Sequence, residues 1–196
     1  GKSESGRYLQ ILAHDHQTSE VHLIPADKPA TAPVVVAKRQ EGIEYEVSDH
    51  GERLLILTNA DGAVDFKICE TAINQPAREN WKDLVPHQPG VLILTQILFK
   101  NFVVRLERVE GLPRIVITQI ASGEEHSISF DEDAYSLGMS GGYEFDTTSL
   151  RFTYSSLSTP ARVYDYDMET RERVLRKEDE IPSGHNPEEY EVRRLM

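Results

Sequence analysis

The sequence of this chain contains a repeat of nearly fifty residues. Four segments share one layout, in which turn residues lead into an apolar strand, a polar turn and a second strand of alternating polarity. The first strands begin near Arg7, Glu52, Asn101 and Ser149, at spacings of 45, 49 and 48 residues, and the second strands follow at spacings of 44, 50 and 48. Because both series keep the same period, the repeating unit is a whole structural module.

Each module has room for about four short strands. Further strand patterns flank the pairs, at 33–38, 42–48, 81–85, 90–98, 126–130 and 139–145. Four-stranded units recurring every 40–50 residues or so are typical of β-propeller blades. We therefore predict an all-β fold of about four consecutive four-stranded antiparallel blades, at approximately 1–40, 41–88, 89–138 and 139–178. Residues 179–196 are acidic and contain Pro182, Gly184 and Pro187, which predicts a linker.

Composition narrows the classes of function. The net charge of −12, from 33 acidic against 21 basic residues, disfavours nucleic acid as a partner. No apolar run approaches the roughly 20 residues that cross a bilayer, so no membrane partner is expected. The single cysteine, Cys69, excludes an internal disulfide framework and fits a reducing compartment, so we expect a cytoplasmic location, with a periplasmic one left open. No phosphate-binding glycine loop is present, and no cofactor is expected.

One segment resembles a known family. Residues 150–160 read LRFTYSSLSTP and are similar to the pattern F-x-Y-S-S-x-[ST]-T-P found late in the propeller of the prolyl oligopeptidase family. The strand that follows ends in YDYD at 164–167 and leads into an acidic, proline-bearing exit. Within the family the sequence most resembles the oligopeptidase B type, also called protease II. The resemblance covers essentially the whole chain.

This resemblance implies a function for a longer protein. Such enzymes carry a seven-bladed propeller over an α/β-hydrolase domain that holds the serine, aspartate and histidine of the triad. The chain would supply the last four blades, and its own C-terminal hydrolase domain would be its partner. The implied substrates are short cationic peptides cut after arginine or lysine, with the propeller restricting access. The opening turn residues 2–7 suggest that a preceding strand has been removed. A stand-alone propeller that binds other proteins remains the alternative.

The residues 138–142 satisfy the G-x-S-x-G motif of a hydrolase nucleophile, and Asp165 and His185 follow in triad order. A nucleophile elbow needs a helix directly after the serine, whereas strand and turn residues follow Ser140. We therefore predict a blade strand at 139–145, with glycines where backbones approach closely, and no catalytic residue in this chain. An independent hydrolase that uses Ser140 stays as an alternative.

Other candidates are two histidines, two glutamates and the only tryptophan. His14 and His16 would share one face of a strand and could bind zinc, but two ligands are too few and a polar loop is favoured. Glu44 and Glu46 lie on a candidate innermost strand, where they would face the central channel and attract cationic peptides. We expect Trp81 to pack between blades with its indole N–H bonded at the rim. Open strand edges and apolar faces of a partial ring predict self-association.

Overall fold

The computed structural model describes residues 1–141, 144–186 and 189–194, and these residues form strands and turns. Two single 3-10 turns, Ala60–Gly62 and Arg78–Asn80, are the helical elements of the described residues, and none is long or apolar enough to cross a membrane. The strands are β1 Tyr8–His14, β2 Ser19–Pro25, β3 Val34–Val35, β4 Tyr45–His50, β5 Arg53–Thr58, β6 Lys67–Ala72, β7 Lys82–Val85, β8 Val91–Leu98, β9 Phe102–Val109, β10 Leu112–Gln119, β11 Glu125–Ser127, β12 Ser136–Ser140, β13 Ser149–Ser155, β14 Arg162–Asp167 and β15 Arg173–Glu178.

The strands form four antiparallel sheets in chain order, each a simple meander. We call them sheet 1 (β1–β3), sheet 2 (β4–β7), sheet 3 (β8–β11) and sheet 4 (β12–β15). This confirms the predicted all-β fold and its four blades, which form an open series. Sheet 1 has three strands where four were expected. Beside β1, the position of a fourth strand is taken by an isolated bridge between Lys2 and Leu9.

Apolar side chains hold neighbouring sheets together, and β5 shows how. Because successive side chains of a strand point to opposite faces, Leu54 and Ile56 pack toward sheet 1, while Leu55 and Leu57 pack toward sheet 3. All four side chains are buried, so β5 lies between two layers of core. A third cluster, centred on Phe152, joins sheets 3 and 4.

The outward faces of the two terminal sheets differ in character. On sheet 1 the face turned away from sheet 2 carries Leu9, Ile11, Ala13, Ile24 and Val35 among a few polar residues, and Ile11 is 49% exposed. On β13 of sheet 4 the outward residues are instead polar, namely Ser149, Arg151, Thr153 and Ser155. The outward face of sheet 4 also carries Val163 and Val174, so sheet 1 has the more apolar of the two outward faces, not the only one with apolar residues.

Several local predictions can be compared with this structure. The indole N–H of Trp81 donates to Pro76 O at 2.8 Å, and its ring packs on the cluster between sheets 1 and 2, as predicted. Cys69 is buried at 1% exposure. The first strand of sheet 4 begins at Ser136 and ends at Ser140, whereas the sequence predicted 139–145. Gly142 and Pro187, which entered the motif and linker predictions, lie outside the described residues. The blade boundaries and the 179–196 linker stay predictions.

Candidate functional site

The chain leaves sheet 4 at one end of its strands, and the turns that lie at this end define one face of the series of sheets. The amide of Asp179 donates to Ala161 O at 2.9 Å, so the exit lies beside the turn between β13 and β14. In sheet 3, the turn between β9 and β10 lies on the same side, because the Arg194 side chain donates to Glu110 O. The turns 156–161 and 110–111 therefore share a face with the exit of the chain.

The corresponding turn of sheet 2 belongs to the same face. Ile93, near the start of β8, donates its amide to Asp65 O at 3.0 Å in the turn between β5 and β6. The start of β8 pairs with the end of β9, next to the turn 110–111, through Val91 and Val109. We call the three turns 59–66, 110–111 and 156–161 the exit face.

The exit face carries unusual apolar exposure. Val64 is 75% exposed and Leu157 is 94% exposed, the two highest values among large apolar side chains in the part of the chain that the structure describes. Each lies in a turn between the second and third strands of its sheet. Single exposed apolar residues are common on protein surfaces, but two at equivalent turns of one face mark it as a candidate contact surface.

Glu44 and Glu46 lie at the exit-face end of β4. Thr58 Oγ1 donates to Glu44 O at 2.8 Å, which places Glu44 beside the start of the turn 59–66. Both glutamates line a partly enclosed cleft of about 240 Å³. The other lining residues come from three sheets and include Leu12, His14, Asp15, Phe66 and Leu94. The structure thus brings the two predicted residues together, while their role as channel-lining residues stays a prediction.

The electrostatics of this cleft disfavour further negative charge. Although its side chain reaches solvent, Glu46 is desolvated by the crowded cleft, which raises its pKa, and His14 partly offsets the effect. Glu4 behaves in the same way, since desolvation raises its pKa and the neighbouring carboxylates of Asp49 and Glu46 add repulsion. A cation entering this region would relieve that repulsion.

Asp49 and Glu4 belong to this acidic region more closely than the sequence indicated. Asp49 is fully buried on β4, where its Oδ2 accepts a hydrogen bond from Ser5 Oγ at 2.5 Å. Its Oδ1 is buried and has no hydrogen-bond partner among the described residues. Residues 1–6 pack on β4 through contacts between residues more than forty positions apart, and no local sequence pattern signals such pairing.

The residues of the hydrolase-like motif are engaged elsewhere. Ser140 ends β12, and the carboxylate of Asp165 accepts from both Arg151 and Arg176 at 2.7 Å. His185 Nε2 is bonded to Ser158 O at 2.6 Å. Ser140 and Asp165 share a shallow groove, but His185 does not line it. Gly138 is close-packed, since an added Cβ would lie 2.7 Å from Thr153 Oγ1, as expected where neighbouring strands approach closely.

The histidine pair shows no metal-binding arrangement. His14 ends β1, and His16 lies in the following turn, where Asp15 accepts hydrogen bonds from the amides of Gln17 and Thr18 at 2.9 Å. This is a side-chain-stabilised turn of the kind that aspartate favours. Within the ranges that the structure describes, no group of three or more potential ligands is placed to hold a metal ion.

The four meandering sheets define the class of protein: an open series of β-propeller blades. Residues 1–179 match the N-terminal beta-propeller domain of prolyl oligopeptidase. The chain therefore belongs to the propeller domains of the prolyl oligopeptidase family of serine peptidases, peptidase family S9.

Named relatives agree with this assignment. The chain is 34% identical to dipeptidyl aminopeptidase BI of Pseudoxanthomonas mexicana over 100% of its own length and 27% of that protein. It is 28% identical to protease 2 of Moraxella lacunata, over 88% of the chain and 24% of that protein. The chain thus spans about a quarter of the length of these relatives.

Solved structures give the same result. Oligopeptidase B from Leishmania major superposes with a TM-score of 0.91 at 28% identity, covering 100% of this chain and 29% of that one. Oligopeptidase B from Trypanosoma brucei, in a closed form with covalently bound antipain, gives a TM-score of 0.89 at 30% identity, covering 96% of this chain and 28% of that one. The recognition made from the YSSLSTP segment is confirmed.

Proposed function

We propose that this chain is the substrate-gating part of an oligopeptidase B-like serine peptidase that cleaves short peptides after arginine or lysine. The observation that carries the proposal is the position of Glu44 and Glu46 in one cleft at the exit-face end of β4. A domain that follows the last sheet would stand over this face, so the cleft would open toward its active site. Carboxylates there would draw cationic peptides inward by long-range attraction.

The partner on the exit face would be the protein's own C-terminal α/β-hydrolase domain. Covering Leu157 and Val64, which are 94% and 75% exposed, would remove apolar surface from water at about 25 cal/mol per Å². Enclosing a peptide between the two domains would also exclude folded proteins and water from the reaction. The entry of peptides would then be controlled by how closely the exit face fits the hydrolase domain.

In this proposal the chain itself is not catalytic. Nucleophile, base and oxyanion donors would all come from the hydrolase domain. An active-site fluorophosphonate applied to the isolated chain should therefore leave it unlabelled. Labelling that is lost in Ser140→Ala would overturn this part of the proposal.

The steering role is tested in the full-length enzyme by changing both Glu44 and Glu46 to glutamine. We expect kcat/KM for arginyl peptides to fall at low ionic strength and its salt dependence to become shallower, because exposed charges are screened over about 8 Å at physiological salt. Neutral peptides should be unaffected. The matched control changes Glu169 and Glu172, two exposed acids in the turn between β14 and β15 at the opposite edge of sheet 4. An unchanged salt dependence, or an equal change in the control, would show that the steering idea is wrong.

A second candidate rests on the relative named dipeptidyl aminopeptidase BI. Under this alternative, the acidic cleft would bind the N-terminal ammonium group of a peptide and not an arginine or lysine side chain. The two functions are separated by acetylating the substrate's N-terminus, which abolishes cleavage only under the second. We keep the cytoplasmic location as a prediction from the single reduced cysteine.

A further inference from the structure

A single carboxylate organises the YSSLSTP segment. Glu132, in the connection between β11 and β12, accepts hydrogen bonds from Ser156 Oγ at 2.7 Å, Ser158 Oγ at 2.6 Å and Thr159 Oγ1 at 3.1 Å. The Tyr154 hydroxyl donates to the same carboxylate. We call Glu132 and these four donors the hydroxyl clamp.

The clamp carries a negative charge. Desolvation alone would raise the pKa of Glu132, but the hydrogen bonds from the four hydroxyls together outweigh it and lower the pKa. Burial, and then the adjacent Glu132 carboxylate, raise the pKa of Tyr154, so its hydroxyl keeps the proton that it donates. Hydrogen bonds to an ionised acceptor are roughly twice as strong as neutral ones. The connection 128–135 is thereby tied to a turn more than twenty residues away.

The clamp fixes the turn on both sides of Leu157. Ser156 Oγ also accepts from the amides of Ser158 at 3.1 Å and Thr159 at 2.9 Å, and the Ser156 amide donates to Thr159 O at 3.0 Å. With its neighbours held inward, Leu157 projects to solvent at 94% exposure. A leucine presented on a backbone this constrained is pre-organised for contact, since little further ordering is lost when a partner covers it.

The clamped turn also touches the segment that leaves sheet 4. His185 Nε2 is bonded to Ser158 O, and the Asp179 amide is bonded to Ala161 O. A displacement of the turn would therefore move both Leu157 and the start of the exit segment. These contacts connect Glu132 to the exit face.

We propose that Glu132 is a positioning residue that, through the hydroxyl clamp, holds Leu157 in place to dock against the hydrolase domain. This inference rests on the proposed function. Glu132 acts by setting the fraction of the enzyme in which the two domains are closed and competent. When that fraction falls, the apparent affinity for substrate falls by the same factor.

The test is a double-mutant cycle in the full-length enzyme, with Leu157→Ala, Glu132→Gln and the two together. We expect Leu157→Ala to lower kcat/KM for a short fluorogenic arginyl peptide about tenfold, the effect of losing one buried leucine contact. Glu132→Gln should lower it several-fold, with faster hydrogen exchange of the amides at 156–159. The double variant should be no worse than Leu157→Ala, because Glu132 acts through Leu157.

The control is Asp131→Asn, which removes the same charge one residue earlier, where no side-chain hydrogen bond is described. If Leu157→Ala leaves kcat/KM unchanged, docking on the exit face is wrong, and the clamp's role falls with it. If Leu157→Ala lowers kcat/KM but Glu132→Gln does not, or the two losses simply add, docking stands and the clamp's positioning role is wrong. An equal loss in Asp131→Asn would assign the effect to net charge and refute the clamp.

Discussion

The buried charges within sheet 3 allow a quantitative test of what they contribute to the stability of the fold. Arg105 on β9 is 6% exposed at its side chain, and its Nε donates to Glu107 Oε1 at 2.9 Å, where Glu107 is 2% exposed. Arg105 Nη1 also donates to Glu125 at 2.7 Å and to Thr118 Oγ1 at 3.0 Å. The second oxygen of Glu107 is held by Arg114 at 2.6 Å. The substitution Arg105→Met removes the guanidinium and keeps most of the side-chain volume.

The expected loss follows from what remains after the substitution. Breaking a buried ion pair from one side costs about 3–5 kcal/mol, because an unpaired charge is left in the interior. Here Glu107 keeps Arg114, which is 43% exposed at its side chain, and Glu125, at 46%, can turn to water. We therefore expect a loss at the lower end, about 3 kcal/mol in the free energy of unfolding.

Urea unfolding of the chain, followed by fluorescence of Trp81, measures this loss as a change in midpoint at constant slope. The matched control is Arg151→Met, where the removed side chain is 58% exposed and Asp165 keeps Arg176. It should cost about 0–1 kcal/mol. Replacing Glu107 by leucine in the Arg105→Met background should recover part of the loss, since the uncompensated buried charge is then gone. A loss in Arg105→Met no larger than that of the control would show that the buried ion pair does not contribute the expected stability.

Three further outcomes are expected. Glu46→Gln should raise the midpoint temperature of unfolding at pH 7, because the cleft raises the pKa of Glu46 and so disfavours its charged form in the folded state. This gain in stability should vanish as the pH falls below the pKa of glutamate in the unfolded chain. No gain at pH 7 would contradict this expectation. Burial raises the pKa of Cys69 to about 12, so iodoacetamide at pH 8 should modify the thiol only after unfolding, and rapid alkylation of the native chain would contradict it. The isolated chain should self-associate through the apolar face of sheet 1, and Ile11→Lys should abolish the association as measured by light scattering. A chain without this substitution that is monomeric at high micromolar concentration would overturn the expectation.

The blade architecture could be predicted because each strand has a local pattern of apolar and polar residues that recurs along the sequence. The run 54–57 within β5 is continuously apolar, which is typical of a strand buried on both faces, and the structure places Leu54 and Leu55 in different clusters. The predicted range of the first strand of sheet 4, 139–145, is wrong, since the strand is Ser136–Ser140. Phe145 extended the apolar alternation past Ser140, but its side chain packs on the cluster between sheets 2 and 3. Its carbonyl accepts from the Lys100 amide at 2.9 Å, so it serves a contact between turns.

Only part of the candidate site could be predicted from the sequence. Glu44 and Glu46 could be found because alternation places them on one side of a strand. Asp49 lay nearby, but its burial against Ser5 depends on pairing across 44 positions. Glu132 is comparable, because the YSSLSTP segment was recognised only as a family resemblance. The common acceptor of its four hydroxyls lies 22 to 27 residues earlier and carries no local signal. Long-range side-chain contacts of this kind are set by the packing of sheets, and a periodicity cannot reveal them.

The contrast between the outward faces of sheets 1 and 4 bears on how such a protein emerges from the ribosome. Domains generally fold as they are synthesised, amino-terminal parts first. Sheet 4 can complete its core against sheet 3, with Phe152 and Tyr166 buried, while the outward side chains of β13, such as Arg151 and Thr153, are polar. The face that sheet 4 turns away from sheet 3 would therefore offer neighbouring nascent chains little apolar surface. Leu157 would stay exposed on the exit face until a later domain covered it.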